Sequence, residues 1–92
     1  MIESFAHNGL KRYYKDDDGR KRPLDLLERI GIVLAALDEA QVIEDMNRPS
    51  FRLHKLTGKL KDYWAVTVRA NWRIVFQFKD GNAHGVNFID YH

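Results

Sequence analysis

Residues 63–90 read YWAVTVRANWRIVFQFKDGNAHGVNFID, and this stretch decides the fold class. Its β-branched and aromatic residues predict strands over 63–69 and 72–78. A last strand begins at residue 83 or 84 and ends at Asp90. Asp80-Gly81, between the last two strands, is the strongest hairpin signal in the chain. The stretch therefore predicts an antiparallel meander.

A two-residue turn at Asp80-Gly81 would also fix the register of the strands beside it. The expected pairs are Lys79 with Asn82, Gln77 with His84, Val75 with Val86, and Arg73 with Phe88. Because side chains alternate between the faces of a sheet, this register places Arg73, Phe88 and Asp90 on one face. Trp72 and Phe76 fall on the other. We therefore expect Asp90 to lie one diagonal step from Arg73.

Upstream of the meander, helical spacing replaces strand alternation. Pro23 suits the first turn of a helix. One apolar face follows it at helical spacing, made of Leu26, Leu27, Ile30, Val33, Leu34 and Leu37. A short helical turn over residues 43–47 ends at Arg48-Pro49, because the residue before a proline disfavours helical geometry.

Three shorter elements complete the predicted fold. Residues 2–5 predict a short edge strand. Asn8 is the expected cap of a short helix that runs through Tyr14. Alternation from Phe51 to Leu56 predicts another strand. The prediction is one α+β domain over residues 1–92, a small antiparallel sheet with N-terminal helices packed on one face.

Composition narrows the class of protein. The chain has no cysteine, so thiolate metal sites and disulfides are excluded. The N-terminus lacks the basic and apolar regions of a signal peptide, and no apolar run approaches the roughly 20 residues of a membrane helix. We expect a cytoplasmic protein that does not contact the membrane.

Positive charge is concentrated in one part of the chain. Residues 48–73 carry seven basic side chains and one acidic one, a net charge of +6, whereas the whole chain has a formal net charge of +2. Such a zone is a plausible footprint for a polyanion, although a solvated charged face is the common alternative. The basic residues are Arg48, Arg52, Lys55, Lys59, Lys61, Arg69 and Arg73.

The side chains able to do chemistry are imidazoles, a carboxylate, a phenol and a guanidinium. The four histidines lack metal-ligand spacing, so we expect no metal and no cofactor. The candidates are His54, Arg73 and the terminal Asp90-Tyr91-His92. Each has a structural alternative: a surface histidine, a strand arginine paired with Asp90, or an ordinary chain end. We expect Trp64 and Trp72 in the core, and purely structural roles for His7 and His84.

These groups suffice for metal-free cleavage of RNA. The 2′-hydroxyl attacks the adjacent phosphate, so the protein supplies only a base, an acid and positive charge. Histidine suits proton transfer because its pKa of about 6.5 populates both forms near neutrality. Arginine suits phosphate because its planar fork can donate two hydrogen bonds.

The run from Arg52 to Phe78, with its His54-Lys55-Leu56-Thr57-Gly58 and Asn71-Trp72-Arg73 segments, resembles the HigB-like plasmid-maintenance killer toxins of the RelE superfamily. The opening residues 1–5 and the ending Asp90-Tyr91-His92 also fit this family. The resemblance spans essentially the whole chain. It implies a RelE-like microbial ribonuclease fold and a toxin of a type II toxin–antitoxin system.

The resemblance further implies a ribosome-dependent, metal-independent messenger-RNA endonuclease that works in the decoding site of the small subunit. A helix-turn-helix antitoxin would silence it. By motif, the catalytic set is His54, Arg73, Asp90, Tyr91 and His92. His54 and His92 would transfer protons, Arg73 would stabilise the phosphate, and Asp90 and Tyr91 would orient groups and contact substrate. The other basic residues of 48–73 would bind ribosomal RNA.

One position departs from the family pattern. Many members carry a lysine just before the glycine, where this chain has Thr57, and a proline where it has Lys55. If that lysine stabilises phosphate, this chain relies on Lys55 or Lys59, or cuts more slowly.

Two other functions remain open from the sequence. One is a non-catalytic RNA-binding module, and the other is a partner of a DNA-binding regulator with no RNA role. The concentrated positive charge argues against a purely protein-binding surface, which would show an apolar patch.

Overall fold

The computed structural model describes residues 1–11 and 24–90, which form an α+β fold as predicted. One long helix, α1 (Leu24–Glu39), lies against a four-stranded antiparallel sheet of order β1-β2-β3-β4. The strands are β1 (His54–Lys55), β2 (Trp64–Arg69), β3 (Trp72–Lys79) and β4 (Asn82–Asp90). Two short 3-10 helices are η1 (Ile43–Met46) and η2 (Gly58–Leu60). Among these residues, no helix has the length and apolar content needed to cross a membrane.

The predicted apolar face of α1 forms one half of the main core. Of the predicted face, Leu27 is only partly buried. The other members are buried and recur at the spacing that puts side chains on one side of a helix: Leu26, Ile30, Val33, Leu34 and Leu37. The sheet supplies the other half through buried side chains of three strands: Val66, Val68, Ile74, Phe76, Ala83, Val86 and Phe88. Burying one such large apolar side chain contributes about 1.5–3 kcal/mol, so this contact is the main stabilising term. The predicted helix start at Pro23 lies outside the described residues.

The strand predicted from Phe51 to Leu56 is wrong over most of its length. Only His54 and Lys55 pair with β2. Arg52 has a φ of +50°, which turns the chain and breaks the alternation. Phe51 inserts into the core instead, and its carbonyl accepts a hydrogen bond from Thr67 N at 2.7 Å.

Arg29 of α1 holds this loop against the end of β2. Its Nε donates to the carbonyl of Val68 at 3.3 Å, and its Nη2 donates to that of Ser50 at 3.2 Å. The loop before β1 is therefore fixed from both the helix and the sheet.

The predicted Asp80-Gly81 hairpin is confirmed. Asp80 and Gly81 have φ values of +54° and +78°, the two positive values that a type I′ turn requires. Lys79 pairs with Asn82 and Gln77 pairs with His84, as expected.

Beyond His84 the register differs from the prediction. Gly85 has a φ of +60°, and the strand carries one extra residue, so Gly85 and Val86 together oppose Phe76. The pairs that follow are Val75 with Asn87, Ile74 with Phe88, Arg73 with Ile89, and Trp72 with Asp90. The predicted pairing of Arg73 with Phe88 was wrong because it assumed an unbroken ladder.

The first residues run parallel to β4 and cover its outer edge. Isolated bridges join Ile2 to Ala83 and Phe5 to Val86, so the predicted edge strand exists as two contacts and not as a continuous ladder. Ser4 Oγ accepts a hydrogen bond from Gly85 N at 2.8 Å, directly at the bulge. Ile2 N donates to Asp38 Oδ1 of α1 at 3.1 Å. The segment thereby ties the helix to the edge of the sheet.

A short helical turn follows, and its cap is not the predicted one. Residues 8–11 are helical, and Leu10 N donates to Nδ1 of His7 at 3.1 Å. His7, and not Asn8, therefore satisfies one of the free amides at this helix start. The predicted helix end at Tyr14 lies outside the described residues.

The tight β3–β4 turn generates a stability prediction. An added Cβ at Gly81 would lie 3.3 Å from the carbonyl oxygen of Gln41, whereas Gly58, with a similar φ of +71°, has open space around it. We expect Gly58→Ala to cost about 1–2 kcal/mol for the left-handed backbone alone. Gly81→Ala should cost more, because it adds the steric contact. Urea unfolding of the two variants measures the difference, and equal losses would contradict the close approach of Gln41.

Candidate active site

The face of the sheet opposite α1 carries a second, smaller apolar cluster. Its buried members are Leu56, Ala65 and Val75, with Leu60, Tyr63 and Ile89 packed around them. No residue of α1 belongs to it, so we call this surface the helix-free face. The register places the polar side chains of this face around the cluster: His54, Thr67, Arg73, Gln77, His84 and Asn87.

His54 lies at the edge of this face with a defined imidazole orientation. It pairs with Ala65, which pairs with Val75, so the three occupy one row across the sheet. Its Nδ1 lies 3.0 Å from the carbonyl oxygen of Arg52. Because a carbonyl only accepts, this contact requires a hydrogen on Nδ1. In the neutral ring with that tautomer, Nε2 carries the lone pair.

Arg73 lies on the same face and folds back onto the β2–β3 turn. Its Nη1 donates to the carbonyls of Ala70 and Trp72. Its Nε is buried and has no hydrogen-bond partner among the described residues. A buried charged donor without an acceptor is costly, and a phosphate oxygen is an acceptor that would satisfy it.

The two residues flank the second cluster without touching each other. They are separated by two strand spacings and by two residues along the strand, which corresponds to about 12 Å between Cα atoms. The small buried side chains of Ala65 and Val75 lie on the same face between them. The arrangement suits chemistry on a phosphodiester held between an imidazole and a guanidinium.

Asp90 does not join these residues. The extra residue in β4 pairs Asp90 with Trp72, on the face that packs against α1, while Arg73 pairs with Ile89 on the helix-free face. The predicted diagonal contact between Asp90 and Arg73 was therefore wrong. Tyr91 and His92 lie outside the described residues, and their catalytic assignment stays a prediction.

The predicted basic zone divides between the two faces. Lys55 pairs with Trp64, and its Nζ lies 5.6 Å from the centre of the Trp64 ring, on the side of the main core. Arg48 lies over the Phe51 ring at 5.2 Å. Lys59 and Lys61 instead belong to or follow η2, whose Leu60 packs on the second cluster. Thr57 stands where many family members carry a lysine, and Lys55 and Lys59 were the expected substitutes for it. Only Lys59 lies beside the helix-free face.

One aromatic residue differs from its expected role. Trp64 is partly buried against the main core, as predicted, but Trp72 is exposed over 37% of its surface. It stacks on Phe88, with ring centres 4.8 Å apart and planes 6° apart. Its position as the first residue of a strand, directly after a turn, is the sequence signal for this exposure.

Metal-binding geometry is not seen in residues 1–11 and 24–90, where no three histidine, aspartate or glutamate side chains cluster suitably for an ion. The site found in these ranges consists of an imidazole, a guanidinium and neighbouring lysines.

Comparisons by sequence identify relatives over the whole chain. The model of the HigB-like toxins, described as "RelE-like toxin of type II toxin-antitoxin system HigB", matches residues 3–92. "Endoribonuclease HigB" of Proteus vulgaris is 45% identical over 92 residues and covers 100% of both chains. "Toxin HigB-1" of Vibrio cholerae serotype O1 is 31% identical over 85 residues, which covers 90% of each chain.

Comparisons by structure agree on the fold. The YoeB–YefM toxin–antitoxin complex of Staphylococcus aureus contains a chain that matches with a TM-score of 0.66 at 15% identity, covering 100% of this chain and 98% of that one. YafQ of E. coli strain BL21(DE3) matches with a TM-score of 0.56 at 13% identity, covering 96% and 91%. From its full-length sequence match, the chain belongs to the HigB-like family, the RelE-like toxins of type II toxin–antitoxin systems.

Proposed function

We propose that this protein is an endoribonuclease toxin that cuts messenger RNA in the decoding site of the ribosome without a metal ion or cofactor. The observation that carries the proposal is the helix-free face, on which His54 and a partly unsatisfied Arg73 flank the second apolar cluster. The name of the Proteus vulgaris relative, an endoribonuclease, supports the same reaction.

The reaction begins at the substrate's own hydroxyl. A base removes the proton from the 2′-hydroxyl, and the 2′-oxygen forms a bond to the adjacent phosphorus. The bond from phosphorus to the 5′-oxygen then breaks, and an acid gives that oxygen a proton. The products are a 2′,3′-cyclic phosphate and a free 5′-hydroxyl. His54, through Nε2, and His92 carry the two proton transfers, and either can be the acid.

Arg73 stabilises the charge that develops on the phosphorane. Its Nε is buried and has no hydrogen-bond partner among the described residues, so a small movement of the side chain toward the RNA would let a phosphate oxygen accept from it. Its Nη1 is held by the turn carbonyls, which fixes the fork before substrate arrives. Preorganised donors of this kind typically contribute about 100- to 1,000-fold in rate.

Asp90 has a different role from the one expected beside Arg73. It ends β4 on the other face, directly before Tyr91 and His92. We assign it to positioning the C-terminal residues, with Tyr91 contacting the RNA.

The open shape of the site supports the proposed dependence on the ribosome. His54 and the basic residues are exposed, and about 12 Å separates the two flanking groups. Such a surface cannot force free RNA into an in-line geometry. Ordered RNA in the decoding site supplies that geometry, while exposed cations bind ribosomal phosphates and make affinity salt-dependent. These cations are Arg48, Arg52, Lys59, Lys61 and Arg69.

An antitoxin would silence the protein in the cytoplasm. A structural neighbour was solved as a toxin–antitoxin complex, which supports a protein partner of this type. We propose that the partner is a helix-turn-helix antitoxin, in keeping with the resemblance of the sequence.

Mapping of new 5′ ends on a translated transcript tests the function. We expect cuts with the wild-type chain, none with His92→Ala, and at least a 100-fold slower reaction with Arg73→Lys, because lysine keeps the charge but lacks the fork. Cosedimentation with ribosomes should be unchanged in both variants. A folded, ribosome-bound wild-type chain that makes no cuts would leave a non-catalytic binding module.

A matched pair of lysine variants tests which side of the sheet meets the RNA. Lys59→Met should lower kcat/KM about tenfold, which corresponds to about 1.4 kcal/mol, and should reduce the salt slope of ribosome binding by about one. Lys55→Met should change kcat/KM less than twofold, because Lys55 lies against Trp64 on the core side. The assignment fails if Lys55→Met has the larger effect.

A further inference from the structure

We infer that the indole of Trp72 is a stacking platform for a nucleobase of the bound RNA. This inference rests on the proposed function, because the ligand is a nucleotide next to the cleavage site. It adds a recognition residue that is outside the catalytic set.

The indole packs against Phe88 through one face of its ring. Phe88, itself only 6% exposed, covers one face of the ring with nearly parallel geometry at 4.8 Å. His7 contacts Phe88 edge-on, with ring centres 6.0 Å apart at 88°. These ring contacts set the orientation of the indole plane. The exposed part of the indole is then available for stacking with a planar group such as a nucleobase. A fixed aromatic plane binds a base with little loss of conformational freedom.

The platform lies at the same turn as the phosphate-binding arginine. The Arg73 guanidinium bends back to the β2–β3 turn and hydrogen-bonds the carbonyl of Trp72 itself. Although the two side chains leave opposite faces of the sheet, the guanidinium therefore lies beside the backbone of Trp72. A phosphate bound at Arg73 brings an adjacent base to the indole.

The neighbours of Trp72 favour a nucleotide over an apolar protein surface. In the strand register it lies between Arg69 and Asp90, so charged residues flank the ring on both sides. The other exposed large apolar side chains among the described residues are Met1, Ile32 and Val42, and all three precede the basic segment 48–73. Trp72 belongs to that segment. Single-stranded RNA is commonly bound by stacking on aromatic rings, and Arg69 places one cation beside this ring, across from the carboxylate residue Asp90.

Photo-crosslinking on the ribosome tests the platform. The probe is a messenger RNA with 4-thio-2′-deoxyuridine in the decoding-site codon, which lacks the attacking hydroxyl and stays uncut. With the wild-type chain we expect a crosslink that mass spectrometry locates at Trp72. Trp72→Ala should lose it, and should raise KM for cleavage of ordinary messenger RNA about 5- to 100-fold. Trp72→Phe, which keeps an aromatic ring against Phe88, should keep most of the crosslink and a KM near that of the wild-type chain.

Val42→Ala, which removes a different exposed apolar side chain, is the matched control and should match wild type in both assays. Thermal unfolding of each variant shows whether lost packing on Phe88 accounts for the effect. The inference is wrong if folded Trp72→Ala cleaves with an unchanged KM, or if its defect is confined to binding of an antitoxin. Absence of any cleavage by the wild-type chain would instead refute the proposed function itself.

Discussion

The bulge at Gly85 is the constraint on which the main core and the placement of the C-terminal residues depend. With its positive φ, Gly85 adds one residue to β4, and every later side chain of that strand changes face relative to an unbroken ladder. Ala83 and Val86 thereby both reach the main core although they are three positions apart, which strict alternation would not allow, and Phe88 follows on the same face. Hydrogen bonds from Gly85 N and Val86 N to Ser4 hold the distorted segment in place.

The two faces of the sheet carry different sets of side chains. One face carries α1, the main core and, at its exposed end, Trp72 and Asp90. The other carries a small apolar cluster flanked by His54 and Arg73. Arg73 links the two sides, because its guanidinium reaches back to the turn that begins β3. We propose that RNA passes over this end of the sheet, with chemistry on one side and base stacking on the other.

The sequence predicted the regular elements and missed the local irregularities. The apolar faces of α1, β2 and β3 and the Asp80-Gly81 turn follow from periodicity and turn chemistry, which are local properties. The short β1 and the true register of β4 depend on left-handed residues, Arg52 and Gly85. A glycine inside a strand is a signal for a bulge, but it does not show how the register changes there. The arginine carries no such signal. The predicted face of Asp90 was wrong because of the bulge at Gly85 alone. His54 and Arg73 lie upstream of the bulge, and they share a face.

The register of β4 is the central claim, and cross-strand nuclear Overhauser effects between backbone protons of β3 and β4 measure it directly. The account predicts contacts that link Ile74 with Phe88 and Val75 with Asn87, together with the hairpin contact between Gln77 and His84. Contacts linking Arg73 with Phe88 and Val75 with Val86 would contradict it. They would return Asp90 to the face of Arg73 and remove the proposed separation of chemistry from base stacking.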